Sequence, residues 1–199
     1  MSQNASGGAT ILVVDDEEKV ADVQALRLQH TYDTRVAYGG REALEEFDES
    51  VDAVVLDRRM PDIHGDEVLA RIRERDASSG EANADTVVVM MTAVDPDLNI
   101  LEMEFDDYLT KPVDAETLTR SLERQLDTRQ ESPRLAEFFS TVSKLDVLRS
   151  ELPPSELEAS DEYAELERRA ETLADELDAE YADFDEIVDT FRDVTRDSP

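Results

Sequence analysis

The sequence predicts an α/β fold: a (βα)5 doubly wound parallel sheet, followed by a C-terminal α-helical hairpin or coiled coil. Three observations predict it. Between residues 10 and 130, five short apolar runs alternate with stretches of helical spacing. The runs are nearly unbroken, as strands buried on both faces require. After Arg129 the strand pattern stops and only helical spacing continues. The chain therefore divides into a disordered lead-in over 1–9, an α/β domain over 10–130 and an acidic helical module over 131–199.

The five strands are expected at Ile11–Val14, Thr34–Tyr38, Val51–Leu56, Thr86–Met91 and Asp107–Leu109. The intervening helices carry apolar stripes at Val20/Val23/Leu26, Ala43/Leu44/Phe47, Val68/Leu69/Ile72, Ile100/Leu101/Met103 and Leu118/Leu122/Leu126. Asp76–Asp85 reads as a polar surface loop. Leu135–Leu152 reads as one helix with Leu135, Phe138/Phe139, Val142, Leu145 and Leu148 on a stripe, ended by Pro153-Pro154. A second helix starts either at Ser155, boxed with Glu158, or near Ser160. Its seam runs Tyr163, Leu166, Ala170, Leu173, Leu177, Tyr181, Phe184, Val188 and Phe191 in steps of three and four, with one stutter at Leu177–Tyr181. So thin a stripe needs a partner: the first helix, the α/β domain or a second copy of the chain.

Composition narrows the functional classes. Apolar residues make up 40% of the chain, enough for a packed core, and there is no cysteine. Disulfides and thiolate metal sites are excluded, which favours the cytoplasm. No apolar run approaches the roughly 20 residues of a membrane span, and Met1–Thr10 lacks the layout of a signal peptide. The net charge is −31, from 51 acidic and 20 basic residues. Such a field repels phosphate backbones, so charge and motif give direct DNA binding no support. The acids are spread over both halves, 31 against 13 basic residues through residue 132 and 20 against 7 beyond it. An interaction tail would concentrate them. The even spread predicts a solvated surface adapted to high salt.

Five side chains stand at predicted strand ends. Asp15 and Asp16 follow Ile-Leu-Val-Val, Asp57 follows Val-Val-Leu, Thr92 follows Val-Val-Val-Met-Met, and Lys111 follows Tyr-Leu-Thr. In a parallel sheet these positions share one edge, where ligands bind. Crowded carboxylates invite a hard divalent cation, and Mg²⁺ typically takes one or two of them with waters and phosphate oxygens. A carboxylate can also act as nucleophile and form an aspartyl-phosphate. Lys111 and Thr92 would then face the phosphoryl oxygens. Taken singly, each residue has a structural explanation, such as a helix cap at Asp16 or a turn at Asp57. The functional expectation rests on all five meeting at one edge.

The blocks ILVVDDE (11–17), VVLDRRMPDIHGDEVL (54–69), VVVMMTA (87–93) and DDYLTKPV (106–113) together resemble the receiver domain of two-component response regulators, a flavodoxin-like fold. The resemblance implies Asp57 as phosphoacceptor for a sensor histidine kinase. It implies Mg²⁺ held by Asp15, Asp16, Asp57 and the main-chain carbonyl of Arg59. Thr92, Ala93 and Lys111 would contact the phosphoryl group, Tyr108 would be the switching aromatic, and Lys111-Pro112 would be a cis peptide. Gly65 would start the helix after the Asp57 loop. The family's usual output face corresponds to Asp95–Asp106, Tyr108–Leu109 and Asp114–Leu126. Such a protein assists its own phosphorylation and dephosphorylation without being an enzyme in the usual sense.

Two departures from the family pattern stand out. Thr92 to Lys111 is short, which shortens the fourth helix, and Glu104-Phe105 replaces the usual small pair before Asp106-Asp107. Arg58 and Arg59, beside Asp57, read either as modulators of phosphoryl lifetime or as surface residues. The C-terminal segment resembles the HalX helical module of halophilic archaea, through Phe138-Phe139…Val142-Ser143-Lys144 and Glu-Tyr-Ala-Glu-Leu-Glu at 162–167. That family role is regulatory, often transcriptional. The residues themselves indicate a module for a downstream protein partner or for homodimerisation, because no recognition helix is present. A pseudo-receiver scaffold is the alternative, opposed by the presence of all five groups. A phosphatase would want an acid at Arg59, and a nucleotide fold would want a glycine-rich loop after the first strand.

Overall fold

The structure, a computed structural model, describes residues 8–79, 86–93, 96–184 and 187–188. Five strands, β1 (Thr10–Val14), β2 (Asp33–Ala37), β3 (Ala53–Leu56), β4 (Val87–Thr92) and β5 (Asp107–Thr110), form one sheet in the order β2-β1-β3-β4-β5. Every neighbouring pair is parallel. Helices α1 (Glu18–Leu28), α2 (Gly40–Glu46), α3 (Gly65–Ser79) and α4 (Ala115–Glu131) make crossovers or flank the sheet, and a 3-10 turn at Leu98–Glu102 replaces the fourth crossover helix. Then follow α5 (Pro133–Glu151), α6 (Pro154–Leu157) and α7 (Asp161–Glu180). Among the described residues no helix is long and apolar enough to cross a membrane.

Strand periodicity builds two cores. Leu12, Val14, Val54, Leu56, Val88 and Met90 point to one face and pack on α2 and α3. Their alternates Ile11, Val13, Val55, Val89 and Met91 point to the other, against α1 and α4. The two faces together leave the central strands without solvent contact, which is why their sequences read as unbroken apolar runs.

Three expectations are corrected. Helix α1 does not bury Val23 and Leu26, which are 45% and 59% exposed; Ala21, Gln24, Ala25 and Leu28 face inward instead. The small Ala21 and Ala25 let the helix lie close to the sheet, whereas a search for bulky residues selects the wrong stripe. Asp76–Ser79 belong to α3, not to a loop. Asp76 is buried and accepts from the Thr86 amide at 3.0 Å, tying the helix to the start of β4; residues 80–85 lie outside the described residues. The second C-terminal helix does not run through the whole seam. It ends at Glu180, where the last turn carries acids and no base against the negative end of the helix dipole. The stutter marks this end. Phe184 then folds back, ring centroid 5.4 Å from Phe138; Phe191 lies outside the described residues.

Ser160 caps α7 by accepting from the Tyr163 amide at 3.1 Å, and Ser155 falls inside the short α6. Helices α5 and α7 form an intramolecular hairpin through Leu135, Phe138, Phe139, Leu173 and Leu177. Helix α5 also docks on the α/β domain: Leu145 and Leu148, further along the same stripe, join the sheet core together with Tyr108. Ser143 donates to Asp107 at 2.7 Å, and Ser140 donates to the Phe105 carbonyl at 2.8 Å. The C-terminal helices thus cover part of the face around β5 that corresponds to the output face implied by the family resemblance.

Candidate functional site

Strand register explains why distant residues meet. Val14 pairs with Leu56, so β1 and β3 leave the sheet at the same level, and the next residues are Asp15 and Asp57. Both backbones remain pinned, Asp15 N–H to the Ala37 carbonyl at 3.2 Å and Asp57 N–H to the Val14 carbonyl at 2.9 Å. Thr92 pairs with Thr110, and Lys111 N–H donates to the Thr92 carbonyl at 2.8 Å. The Lys111–Pro112 peptide is cis.

Each acid uses one oxygen locally. Asp15 Oδ1 accepts from the Glu17 amide at 2.9 Å, at the entry to α1, whose N-cap residue is Glu17 and which neither Asp15 nor Asp16 caps. Asp57 Oδ2 accepts from the Arg59 amide at 2.8 Å. The remaining oxygens converge on one ammonium: Lys111 Nζ donates to Asp15 Oδ2 at 2.5 Å and to Asp57 Oδ1 at 2.7 Å. Asp15 and Asp57 are 1% and 5% exposed, so water screens this cluster weakly.

Burial pushes the Asp57 carboxyl above its ordinary value, against the opposing pull of Lys111. For Lys111, burial works downward, but the bonds to Asp15 and Asp57 outweigh it and the ammonium is held above its ordinary value. Two carboxylates against one ammonium leave an uncompensated negative charge. The ammonium itself shows that one cation can sit within 3 Å of both acids. Among the described residues no three His, Cys, Asp or Glu side chains are grouped to hold a metal. A two-carboxylate donor set suits Mg²⁺, which keeps waters and takes substrate oxygens, so the residues fit that ion.

The other expected residues lie around this cluster. Asp16 is exposed beside Asp15 and does not share the ion pair. Thr92 is fully buried at the end of β4, and Ala93 is exposed just beyond it. Arg59 is exposed. Tyr108 is buried, its hydroxyl held above the ordinary phenol value by burial, with an opposing hydrogen bond to Arg58. Arg58 is not a surface residue: it is 8% exposed and forks onto Asp66, with Nε to Oδ1 at 3.0 Å.

Gly65 lies under the Asp57 turn, its N–H donating to the Arg58 carbonyl at 2.9 Å. A Cβ there would overlap the Asp57 carbonyl oxygen and sit 2.9 Å from the Arg58 Cα, both backbone atoms. Gly65→Ala is expected to destabilise the fold by about 1–3 kcal/mol through overpacking. Urea melts at matched salt check this; a change under a few tenths of a kcal/mol would show that the turn yields freely.

Sequence reasoning missed a second polar cluster at the start of β5. Asp106 Oδ2 accepts from Arg73 at 2.8 Å and from the Val88 amide at 2.7 Å, and its Oδ1 accepts from Arg129 at 2.8 Å. Asp107 accepts from Ser121, Arg124 and Ser143. Both acids are buried. The available signal was an acidic pair beginning a buried strand; the convergence on it of three arginines and two serines from three helices required coordinates.

A parallel sheet in the order 2-1-3-4-5, with two acids and a lysine joined at its carboxyl edge, has the architecture of a signalling receiver. The chain belongs to the response regulator receiver domain family, whose model matches residues 11–123, and it carries a HalX domain over residues 127–195. It is 39% identical over 170 residues to a putative transcriptional regulator of Haloferax volcanii, covering 85% of this chain and 28% of that one. It is 34% identical over 164 residues to the uncharacterized transcriptional regulatory protein YkoG of Bacillus subtilis, covering 80% of this chain and 68% of that one. The chain therefore spans little more than a quarter of the first relative. Among solved structures, the BeF3-activated receiver domain of DrrB, a Thermotoga maritima protein, superposes with a TM-score of 0.53 at 28% identity, over 60% of this chain and 98% of that one.

Proposed function

We propose that this chain accepts a phosphoryl group on Asp57 from a sensor histidine kinase and relays the change to its HalX module or to the face around β5, in transcriptional or other signalling regulation. The observation that carries this reading is the Lys111 ammonium, held 2.5 Å from Asp15 and 2.7 Å from Asp57 at the carboxyl edge of the sheet. Asp57 would supply the attacking oxygen, displacing the histidine nitrogen of the donor at phosphorus and keeping the phosphoryl group as an acyl phosphate. Lys111 would turn from Asp57 to a phosphoryl oxygen, and the Thr92 hydroxyl would donate to another. Ala93 leaves that side open. Asp15, Asp16, Asp57 and the Arg59 carbonyl are the groups to hold Mg²⁺, which would neutralise charge on the transferring oxygens. Tyr108, buried between the site and α5, is the aromatic that would report the change.

The BeF3-activated DrrB domain supports a direct test. Beryllofluoride with Mg²⁺, added to this chain in high salt, is expected to give a bound ¹⁹F signal that disappears on chelation of Mg²⁺. No bound signal at saturating reagent would favour a scaffold that keeps the fold without phosphotransfer. Homodimerisation and a separate downstream protein remain alternatives for the output. Sedimentation with and without the same reagent separates them by mass.

A further inference from the structure

We propose that Arg58 is a positioning residue that couples Asp57 to the docked helix α5 through Tyr108 and Phe105; this rests on the phosphoacceptor reading above. Arg58 adjoins Asp57 in a turn held from both sides. The Arg59 amide donates to Asp57 Oδ2 at 2.8 Å, and the Arg58 carbonyl accepts from Gly65 at 2.9 Å. Any change at the Asp57 carboxylate that releases the Arg59 amide therefore acts on the backbone that carries Arg58.

The guanidinium joins three elements. It pairs with Asp66 in the first turn of α3 at 3.0 Å and with Asp97 at 3.6 Å. Asp97 in turn caps the 3-10 turn by accepting from the Asn99 amide at 3.1 Å. The third partner is the Tyr108 hydroxyl on β5. A planar fork on several acceptors holds their relative positions in a way a single ammonium does not.

From Tyr108 the contacts lead into the HalX module. Its ring centroid lies 5.5 Å from that of Phe105. The Phe105 carbonyl accepts from Ser140 at 2.8 Å, and the Lys144 ammonium sits 5.2 Å above the Phe105 ring. Lys144 is buried, so its position depends on that ring and on the acids nearby, Asp106 and Glu104. Ser140 and Lys144 are one turn apart on α5 and grip the same residue. A dianionic group on Asp57 would be the strongest local anion and would compete with Tyr108 and Asp97 for the adjacent guanidinium. Drawing Arg58 away loosens Tyr108, and the Phe105 grip on α5 shifts with it.

The test uses the full chain with beryllofluoride and Mg²⁺. Occupancy of Asp57 is read by ¹⁹F NMR, and hydrogen exchange is read over residues 135–148 of α5. In wild type, occupancy is expected to change α5 exchange by at least about fivefold, the low end of allosteric couplings. At reagent concentrations that bring them to the same ¹⁹F occupancy as wild type, Arg58→Gln and Tyr108→Phe should leave a change under about twofold, and the double variant should lose nothing more. Arg58→Lys, which keeps charge but lacks the fork, should keep part of the response. A full α5 response in Arg58→Gln or Tyr108→Phe at equal occupancy overturns the coupling role. So does a wild type that binds the reagent with unchanged α5 exchange, and in both cases the phosphoacceptor reading stands. A wild type that binds no reagent overturns that reading, and the coupling with it. If Arg58→Gln does not fold, Tyr108→Phe decides, since it removes one hydroxyl and leaves the ring packing.

Discussion

Asp57→Asn is expected to abolish phosphoryl incorporation from acetyl phosphate, and Lys111→Met to slow it by about 10²–10³-fold. Asparagine preserves the shape of the turn, so the Arg59 amide keeps an oxygen acceptor while the nucleophilic carboxylate is lost. The second variant acts differently. Methionine retains the length of the lysine side chain but removes a cation shared by Asp15 and Asp57. The acids then repel each other, and no ammonium meets the transferring oxygens. Both variants are checked by intact-protein mass spectrometry over time, with Mg²⁺ and high salt held constant. Incorporation into Asp57→Asn at the wild-type rate would place the acceptor elsewhere. A Lys111→Met rate within threefold of wild type would deny the ammonium its electrostatic role.

The other large effect is structural. Asp106→Asn is expected to destabilise the protein by about 3–5 kcal/mol, because it removes the buried negative charge that the part-buried Arg73 and Arg129 share. At this chain length that corresponds to a melting point lower by about 6–20 °C. Asp106 also accepts from the Val88 amide, so the loss reaches β4 itself. Glu176→Gln provides the contrast: its pair with Arg134 lies on the surface and should contribute no more than about 1 kcal/mol. Raising the salt should narrow the small difference and leave the large one, since buried pairs are screened much less. Equal, small effects for both variants would mean that the β5 cluster is solvated in practice.

The sheet and the acid–lysine cluster were legible because strand ends are local features. An apolar run stops where a polar residue follows, and parallel pairing brings such ends to one edge whatever their separation in sequence. Asp15, Asp57 and Lys111 were found in this way. Arg58 was not, since nothing in Asp57-Arg58-Arg59 distinguishes the buried guanidinium from the exposed one. Their fates depend on Asp66, Asp97 and Tyr108, which come from three other elements. Similarly, a period-3.6 pattern revealed α1 but selected Val23 and Leu26 over the small residues that actually face the sheet.

By itself the sequence determined the alternation of strands and helices, the edge on which the charged groups stand, and the helical character of the C-terminal module. Only the tertiary structure decided which face of α1 is buried, where α7 ends, and that α5 packs on β5 instead of standing free. It also decided that Asp106 and Asp107 gather arginines and serines from α3, α4 and α5. Periodicity and strand ends follow from backbone geometry within a few residues. Burial and ion pairing depend on which surfaces meet, a property of pairs of elements that no single segment encodes.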